Sequence, residues 1–401
     1  MKTLQTLFFK DSKNMKEIQS SSVDLIVTSP PYPMIEMWDD LFSQQNDSIR
    51  KAISHHEGTK AFELMHKQLD PVWHEAYRVL KPGGFACINI GDATRTLNGN
   101  FVLYPNHMRI LKCILEIGFS SLPCILWRKQ TNAPNKFMGS GMLPAGAYVT
   151  LEHEYVLILR KGPKREFQKD ADKKRRQESA IFWEERNIWF SDVWFDIKGA
   201  TQKLTDRETR HRSAAYPFEL AYRLINMYSA KNDTVLDPFL GSGTTMVAAI
   251  ASGRNCMGYE IDRSMKDTIF SAIDKSVDFS NNHILKRLKN HLTFIKTRIE
   301  SKIPIKHINS PYNFPVITGQ EKAILLNKLV SLEKKQDNST EVLYDDAPQA
   351  TMMLSNQEDN LYTELKKMET QQQSIEKATP RNTEKKNLQL SLFGTHPIQK
   401  N

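Results

Sequence analysis

Short apolar runs and amphipathic stretches alternate through the first three hundred residues of the chain. Leu4–Phe9 and Val23–Val27 predict buried strands, with a short helical stretch over Met15–Ile18 between them. Leu69, Val72, Trp73, Ala76, Tyr77 and Leu80 fall near helical spacing and predict a helix over Phe62–Leu80. That helix stops at Lys81-Pro82-Gly83-Gly84, where proline cannot continue it and glycine permits the turn. The same reading gives strands at Phe85–Ile90, Ser121–Trp127, Tyr155–Leu159, Thr234–Leu236 and Asn255–Tyr259. Further helices are expected at Met108–Ile117, Phe218–Tyr228 and Thr244–Ala251. Regular alternation of this kind predicts a doubly wound, mainly parallel α/β sheet, Rossmann-like, with helices on both faces.

Several stretches break the rhythm. Pro33–Ala61 is polar and long for a connection in such a fold, and Gln130–Thr150 is rich in Gly, Pro and Asn. Lys164–Arg212 holds a basic run, Lys173-Lys174-Arg175-Arg176, and an aromatic cluster of Phe182, Trp183, Trp189, Phe190, Trp194 and Phe195. Beyond about Pro311 the chain turns polar, and apart from a helix over Gln320–Lys334 it reads as disordered. The organisation expected is therefore one half of an α/β domain in 1–129 and an inserted region in 130–212 that contributes one core strand near 153–160. The other half occupies 213–305, followed by a polar, largely disordered tail in 306–401.

A chain of 401 residues can bury a sizeable core, and its formal charge of +9 points to a polyanionic partner. Basic and acidic residues are equal in number from Lys306 onward, so the excess lies in the first three quarters. Cys87, Cys113, Cys124 and Cys256 form no CxxC pair and sit in apolar segments, which predicts buried free thiols in a reducing compartment and no metal site. No apolar run approaches the roughly 20 residues that span a bilayer. The first ten residues are too short and polar for a signal peptide, so a cytoplasmic, membrane-free protein is expected.

Two apolar strands end in segments with chemical potential. After Thr234-Val235-Leu236 comes Asp237-Pro238-Phe239-Leu240-Gly241-Ser242-Gly243-Thr244-Thr245. A P-loop needs Lys where Thr244 stands, and a dinucleotide fingerprint needs Gly where Met246 stands. Glu260, ending the next strand, is placed to hold ribose hydroxyls. A glycine loop without a phosphate-binding Lys, followed by such an acid, suits a nucleoside lacking phosphates, such as S-adenosylmethionine. After Val23-Asp24-Leu25-Ile26-Val27 comes Thr28-Ser29-Pro30-Pro31-Tyr32. Its prolines fix the backbone and remove two N–H donors, so nearby carbonyls are free acceptors; Ser29 adds another and Tyr32 a stacking surface. Such a site would hold an exocyclic amino group by its hydrogens. As a bland alternative, each segment is a turn at a strand end.

The two motifs, in this order, resemble the S-adenosylmethionine-dependent DNA amino-methyltransferases of the permuted β group, in which the catalytic motif precedes the cofactor motif. Val27-Thr28-Ser29-Pro30-Pro31-Tyr32 is similar to the signature of the N4-cytosine branch, whereas most N6-adenine relatives carry Asp-Pro-Pro-Tyr. Asp237 to Thr245 is similar to the family's cofactor loop. His211-Arg212-Ser213-Ala214-Ala215-Tyr216-Pro217 resembles the motif that encloses the methionine moiety, with Arg and Ser replacing the usual Pro and Ala. The resemblance spans about residues 1 to 275. It implies catalytic Ser29, Pro30, Pro31 and Tyr32, and a cofactor site of Asp237, Pro238, Phe239, Gly241, Ser242, Gly243, Thr244, Thr245, Glu260, His211 and Pro217, with Asp11 near the adenine ring. It also implies duplex DNA as substrate, a restriction endonuclease counterpart, and direct methyl transfer to a base flipped out of the helix.

Alternatives remain beside this expectation: N6-adenine methylation, or a non-catalytic nucleic-acid-binding relative. A C5-cytosine enzyme needs a Pro-Cys nucleophile, but Pro123-Cys124 lies within an apolar strand, so Cys124 reads as core. Lys173, Lys174, Arg175 and Arg176 are candidates for DNA phosphate contacts or for a solvated charged face; Arg207, Arg210 and Arg212 could contact phosphates or bases. Trp183, Trp189 and Trp194 are expected to pack a small subdomain, and Met34–Asp40 to line the cleft. Gln389-Leu390-Ser391-Leu392-Phe393 resembles the pentapeptide by which bacterial proteins bind the sliding clamp; docking back onto the domain is the alternative.

Overall fold

The computed structural model describes residues 1–129, 145, 149–198 and 216–347. The strands, numbered along the chain, are β1 (Lys2–Phe8), β2 (Val23–Thr28), β3 (Leu80–Ile90), β4 (Ala93–Leu97), β5 (Asn100–Tyr104), β6 (Phe119–Arg128), β7 (His153–Lys161), β8 (Val193–Trp194), β9 (Thr234–Asp237), β10 (Asn255–Tyr259), β11 (His307–Ile308), β12 (Pro315–Val316), β13 (Leu329–Lys334) and β14 (Ser339–Tyr344). Ten of those described strands form one sheet in the order β13-β14-β1-β10-β9-β2-β3-β7-β6-β8. Its centre, from β1 through β10, β9 and β2 to β3, is parallel throughout. β7 and β14 then run antiparallel to β3 and β1 on the two flanks.

Every residue of β2 is buried, as a central strand covered on both faces requires. β3 shows how the layers are assigned. Ala86, Ile88 and Ile90 share a core cluster with Met65, Leu69, Val72, Trp73, Ala76 and Val79 of the helix Gly58–Val79. The alternate residue Phe85 faces the other way, its ring 4.8 Å from that of Tyr228 on the helix Phe218–Tyr228. From β9 the chain crosses to β10 on one side, and from β2 to β3 on the other. The carboxyl ends of β2 and β9 therefore flank a topological switch point, where open α/β sheets hold their ligands.

The structure departs from the sequence expectations in several places. Met15–Ile18 forms turns, not a helix, and Pro33–Ala61 contains the helices Asp39–Gln45 and Asp47–Ser54 as well as the start of Gly58–Val79. The polar tail is folded over 307–346. Gln320–Lys334 gives a tight turn and then β13, which pairs with β14; β14 in turn pairs with β1. Burial of Val342 and Tyr344 against the sheet offsets the ordering of this polar stretch. Some described residues of the inserted region also join the core. β8 pairs with β6, the Trp127 indole N–H donates to the Ile197 carbonyl at 2.9 Å, and Trp189 and Trp194 are buried. Trp189 packs against Tyr222 of the helix Phe218–Tyr228, and Phe182 stacks on His291, so among the described residues these two aromatics pack onto helices of the main α/β fold. Cys124 is half-buried against the main core cluster. Among the described residues no helix is long and apolar enough to cross a membrane.

Candidate active site

The ends of β2 and β9 are joined through one buried carboxylate. Asp237, 1% exposed, accepts from the Thr28 hydroxyl at 2.6 Å, from the Phe239 backbone N–H at 3.0 Å, from the Tyr216 hydroxyl at 3.3 Å and from the Thr245 hydroxyl. Burial pushes its pKa up, and the hydrogen bonds, led by Thr245 and Thr28, oppose that rise. Asp237 thus ties the Ser-Pro-Pro-Tyr strand, the glycine-rich loop and the start of the helix Phe218–Tyr228 into one unit.

Past Thr28 the chain turns through Ser29-Pro30-Pro31-Tyr32 and is pinned from behind. Asn106 donates to the carbonyls of Pro33 at 3.1 Å and Gly91 at 3.0 Å. Met34 takes a left-handed φ of 67°, uncommon for a residue with a Cβ, and its N–H points at the Met65 sulfur, 3.2 Å away. The Tyr32 ring lies against Gly91, where an added Cβ would come within 3.0 Å of Tyr32 Cε2. The Tyr32 hydroxyl donates to Glu154 at 2.9 Å, accepts from Asn89 at 2.8 Å and lies 3.1 Å from Ser29 Oγ. Burial and the neighbouring Glu154 carboxylate raise its pKa well above the usual phenol value.

On the other side of the cleft, Gly241 and Gly243 take φ of 54° and 88°, which favour glycine. A Cβ built on Gly241 would meet no atom within 4 Å, so the loop backbone is open to close approach. Glu260 accepts one backbone N–H on each oxygen, from Gly241 and from Asp262, both at 2.8 Å. Burial raises its pKa, and those two N–H groups restrain the rise. Each oxygen keeps a lone pair for a further donor. Gly241, Glu260 and Asp262 line a cleft of about 720 Å³ with Asp11, Ser29, Pro30, Pro31, Tyr32, Pro238, Phe239, Ser242, Thr244, Ile261 and Met265, and Gly243 is buried outside that lining. The size of the cleft suits a nucleoside-sized ligand beside a base. An acid with free lone pairs, apolar Ile261 and Met265, and a loop without Lys fit S-adenosyl-L-methionine, which has ribose hydroxyls, an adenine ring and a sulfonium linkage in place of phosphates.

The structure brings together Ser29, Pro30, Pro31 and Tyr32 with Pro238, Phe239, Gly241, Ser242, Thr244, Glu260 and Asp11 around this cleft. Asp237 and Thr245 are buried behind it, and Pro217 caps the helix Phe218–Tyr228. Of the Met34–Asp40 stretch, Glu36, Met37, Trp38 and Asp40 line the cleft, while Met34 is buried in the core and Ile35 and Asp39 stand outside the lining. His211, Arg207, Arg210, Arg212 and the Gln389–Phe393 segment lie outside the described residues. Among the described residues no group of three or more His, Cys, Asp or Glu is arranged to hold a metal.

Lys173, Lys174, Arg175 and Arg176 are not brought to the cleft. They lie on the exposed helix Asp170–Glu178, at the opposite edge of the sheet. Just before that helix Arg165 binds Asp233, and just after it Ser179 accepts from the Lys231 N–H, both ahead of β9. Two features escaped the sequence reading. The β4–β5 hairpin leaves the carboxyl end of β3 and is signalled by Asn98-Gly99 between alternating residues; both take positive φ. Arg95 on that hairpin forks onto Asp39 at 2.9 and 2.7 Å. Glu154, Asn89 and Lys129 form the other, with Lys129 donating to Glu154 at 2.9 Å. Nothing local marks Glu154, because its partners come from three other segments.

A family model described as DNA methylase matches residues 23–271. The chain is similar to the type II methyltransferase M.MthZI of Methanothermobacter thermautotrophicus, 50% identical over 345 residues that cover 86% of this chain and 96% of that one. It is likewise 51% identical over 279 residues to the type II methyltransferase M.MjaI of Methanocaldococcus jannaschii, covering 67% of this chain and 90% of the relative. Among solved structures, a putative DNA modification methylase of Thermus thermophilus in complex with S-adenosyl-L-methionine matches with a TM-score of 0.53 at 29% identity, over 68% of this chain and 96% of that one.

Proposed function

The chain belongs to the DNA methylase family, and from that premise we propose that it methylates the exocyclic N4 of cytosine within a short duplex site. It is a DNA methyltransferase that uses S-adenosyl-L-methionine. Glu260 would hold the ribose hydroxyls, Ile261 and Met265 the adenine with Asp11 at its edge, and the loop Pro238–Thr244 the remainder. Bound there, the cofactor supplies an electrophilic methyl group. The side chains on the facing wall hold and aim the base. Tyr32 offers its ring for stacking, while Ser29 Oγ and the Pro30 carbonyl accept the amino hydrogens. This draws the nitrogen lone pair out of ring conjugation and directs it across the cleft, an effect of orientation more than of acid–base catalysis.

The observation that carries cytosine over adenine is Ser29 at the head of the turn, a short neutral hydroxyl where a carboxylate stands in most N6-adenine relatives. The type II designation of its relatives supports a DNA-modification role. The test is transfer of labelled methyl groups to duplex DNA followed by nucleoside analysis. N4-methylcytosine is expected; N6-methyladenine, or no product, overturns the proposal. Ser29→Ala and Tyr32→Ala are each expected to lower kcat roughly 10²-fold, the usual cost of losing orientation at a reacting centre. Full activity in either variant would remove that residue from the mechanism.

A further inference from the structure

We infer that Glu154 fixes the direction of the hydrogen bonds at the catalytic turn and so makes Ser29 an obligate acceptor toward the target base. The inference rests on the amino-methylation reading above. Glu154 lies on β7, outside both sequence motifs, and is 9% exposed. Its Oε2 accepts from the Tyr32 hydroxyl at 2.9 Å and from Asn89 Nδ2 at 2.7 Å, while Oε1 accepts from Lys129 Nζ at 2.9 Å. Asn89 Nδ2 also donates to the Tyr32 oxygen at 2.8 Å. The amide cannot be turned over, since its oxygen would then face a carboxylate oxygen.

The consequence follows from counting hydrogens. A phenol has one, and here the carboxylate takes it. Tyr32 therefore cannot donate to Ser29, and in the 3.1 Å contact between the two hydroxyls Ser29 must be the donor. With its hydrogen directed at Tyr32, Ser29 presents only lone pairs to the cleft. An exocyclic amino group, which offers hydrogens, is matched by this arrangement. A ring carbonyl in the same place, which offers lone pairs, is opposed. A neutral amide at 154 would lift the constraint, because it can donate to Tyr32 and release the phenol hydrogen toward Ser29. Glu154 touches no substrate in this scheme; it is a positioning residue that acts through Tyr32 and Ser29.

The test is a double-mutant cycle on the full chain, read in methyl transfer to duplex DNA. Glu154→Gln is expected to lower kcat roughly 10- to 100-fold while leaving KM for DNA and for cofactor within about 3-fold, as for an interaction that matters only on the way to the transition state. In a Ser29→Ala background the same change should cost less than about 3-fold more, because the residue it acts through is gone. Tyr32→Phe keeps the ring, deletes the hydroxyl, and should match Glu154→Gln without adding to it. An unchanged cofactor KM shows that each variant is folded. Independent multiplication of the Glu154 and Ser29 losses, an effect confined to KM, or full kcat in Tyr32→Phe would each overturn the inference. A wild-type chain that transfers no methyl group would instead overturn the functional reading on which it rests.

Discussion

His66 is linked through Asn106 to the segment that follows the Ser29–Tyr32 turn, with no exposure to solvent. Asn106 uses its amide hydrogens on Pro33 and Gly91, so its oxygen must accept, and His66 Nε2–H is the donor at 3.0 Å. The other ring nitrogen is buried with no hydrogen-bond partner, which leaves a proton there without compensation. Burial, and to a smaller degree Arg109, push the pKa of His66 down to about 4 from 6.5. A folded value below the unfolded one means that the unfolded chain binds the proton first. The stability contribution is intact above pH 6.5 and is lost as the pH falls toward 4. His283, with burial holding it at about 3, acts in the same direction. Between pH 7 and pH 5 His66 should remove roughly 2 kcal/mol of stability. Urea unfolding at the two pH values, with His66→Gln beside wild type, checks this: the variant should lose less on acidification. Equal losses would show that the ring is not held neutral.

At the scale of elements, the glycine-rich loop depends on a strand it does not belong to. Leu240 is buried against β10, and a Cβ added at Gly258 would lie 2.6 Å from Leu240 Cδ2. Gly258 is required by this close approach and not by its backbone angle. Gly258→Ala should displace Leu240 and the adjoining Gly241–Gly243 backbone, weakening cofactor binding about tenfold, in line with an overpacking cost of roughly 1–3 kcal/mol. Leu240→Ala in the same chain should recover part of that loss by making room, and calorimetric titration of cofactor would show it. An unaffected Gly258→Ala affinity would mean that the loop absorbs the strain. The loop itself was legible in the sequence, because its glycines and terminal acid lie next to apolar strands. Gly258 was not, since its constraint comes from a side chain 18 positions away in the chain. The same limit explains β13 and β14. Their sequence is polar because one face meets solvent, and only the pairing of β14 with β1 reveals that Val342 and Tyr344 are core. The β4–β5 hairpin was missed for a different reason, since Asn98-Gly99 is a local turn signal that the sequence reading passed over.

For the molecule as a whole, the parallel strands give the sheet two chemically distinct edges. β2 and β9 carry the Ser29–Tyr32 turn and the glycine-rich loop, the proposed catalytic and cofactor segments, at their carboxyl ends. At their amino ends Arg165 bridges Asp24 and Asp233, and the helix Asp170–Glu178 packs nearby. Strand rise of about 3.3 Å per residue puts the two edges on the order of 15–20 Å apart. The basic run on that helix is also largely answered by its own neighbours. Lys173 meets Asp170 at 3.0 Å, Arg175 meets Asp172 at 2.7 Å, Lys174 meets Glu178 at 3.8 Å, and Arg176 lies 4.9 Å from the Phe167 ring centre. Composition places a polyanion near this protein, but it does not say which face meets it. Under the proposed function, a duplex that presents its target base to Tyr32 would approach the carboxyl edge, so these four cations should contribute little to its binding. Replacing Lys173, Lys174, Arg175 and Arg176 together by Gln should leave the slope of log Kd against log salt within about one unit of wild type, since each phosphate contact contributes about 0.9. Methyl transfer should change by less than about 3-fold. A slope reduced by three or four units would place the helix on the DNA backbone, and the duplex would then have to wrap past the edge of the sheet to reach both.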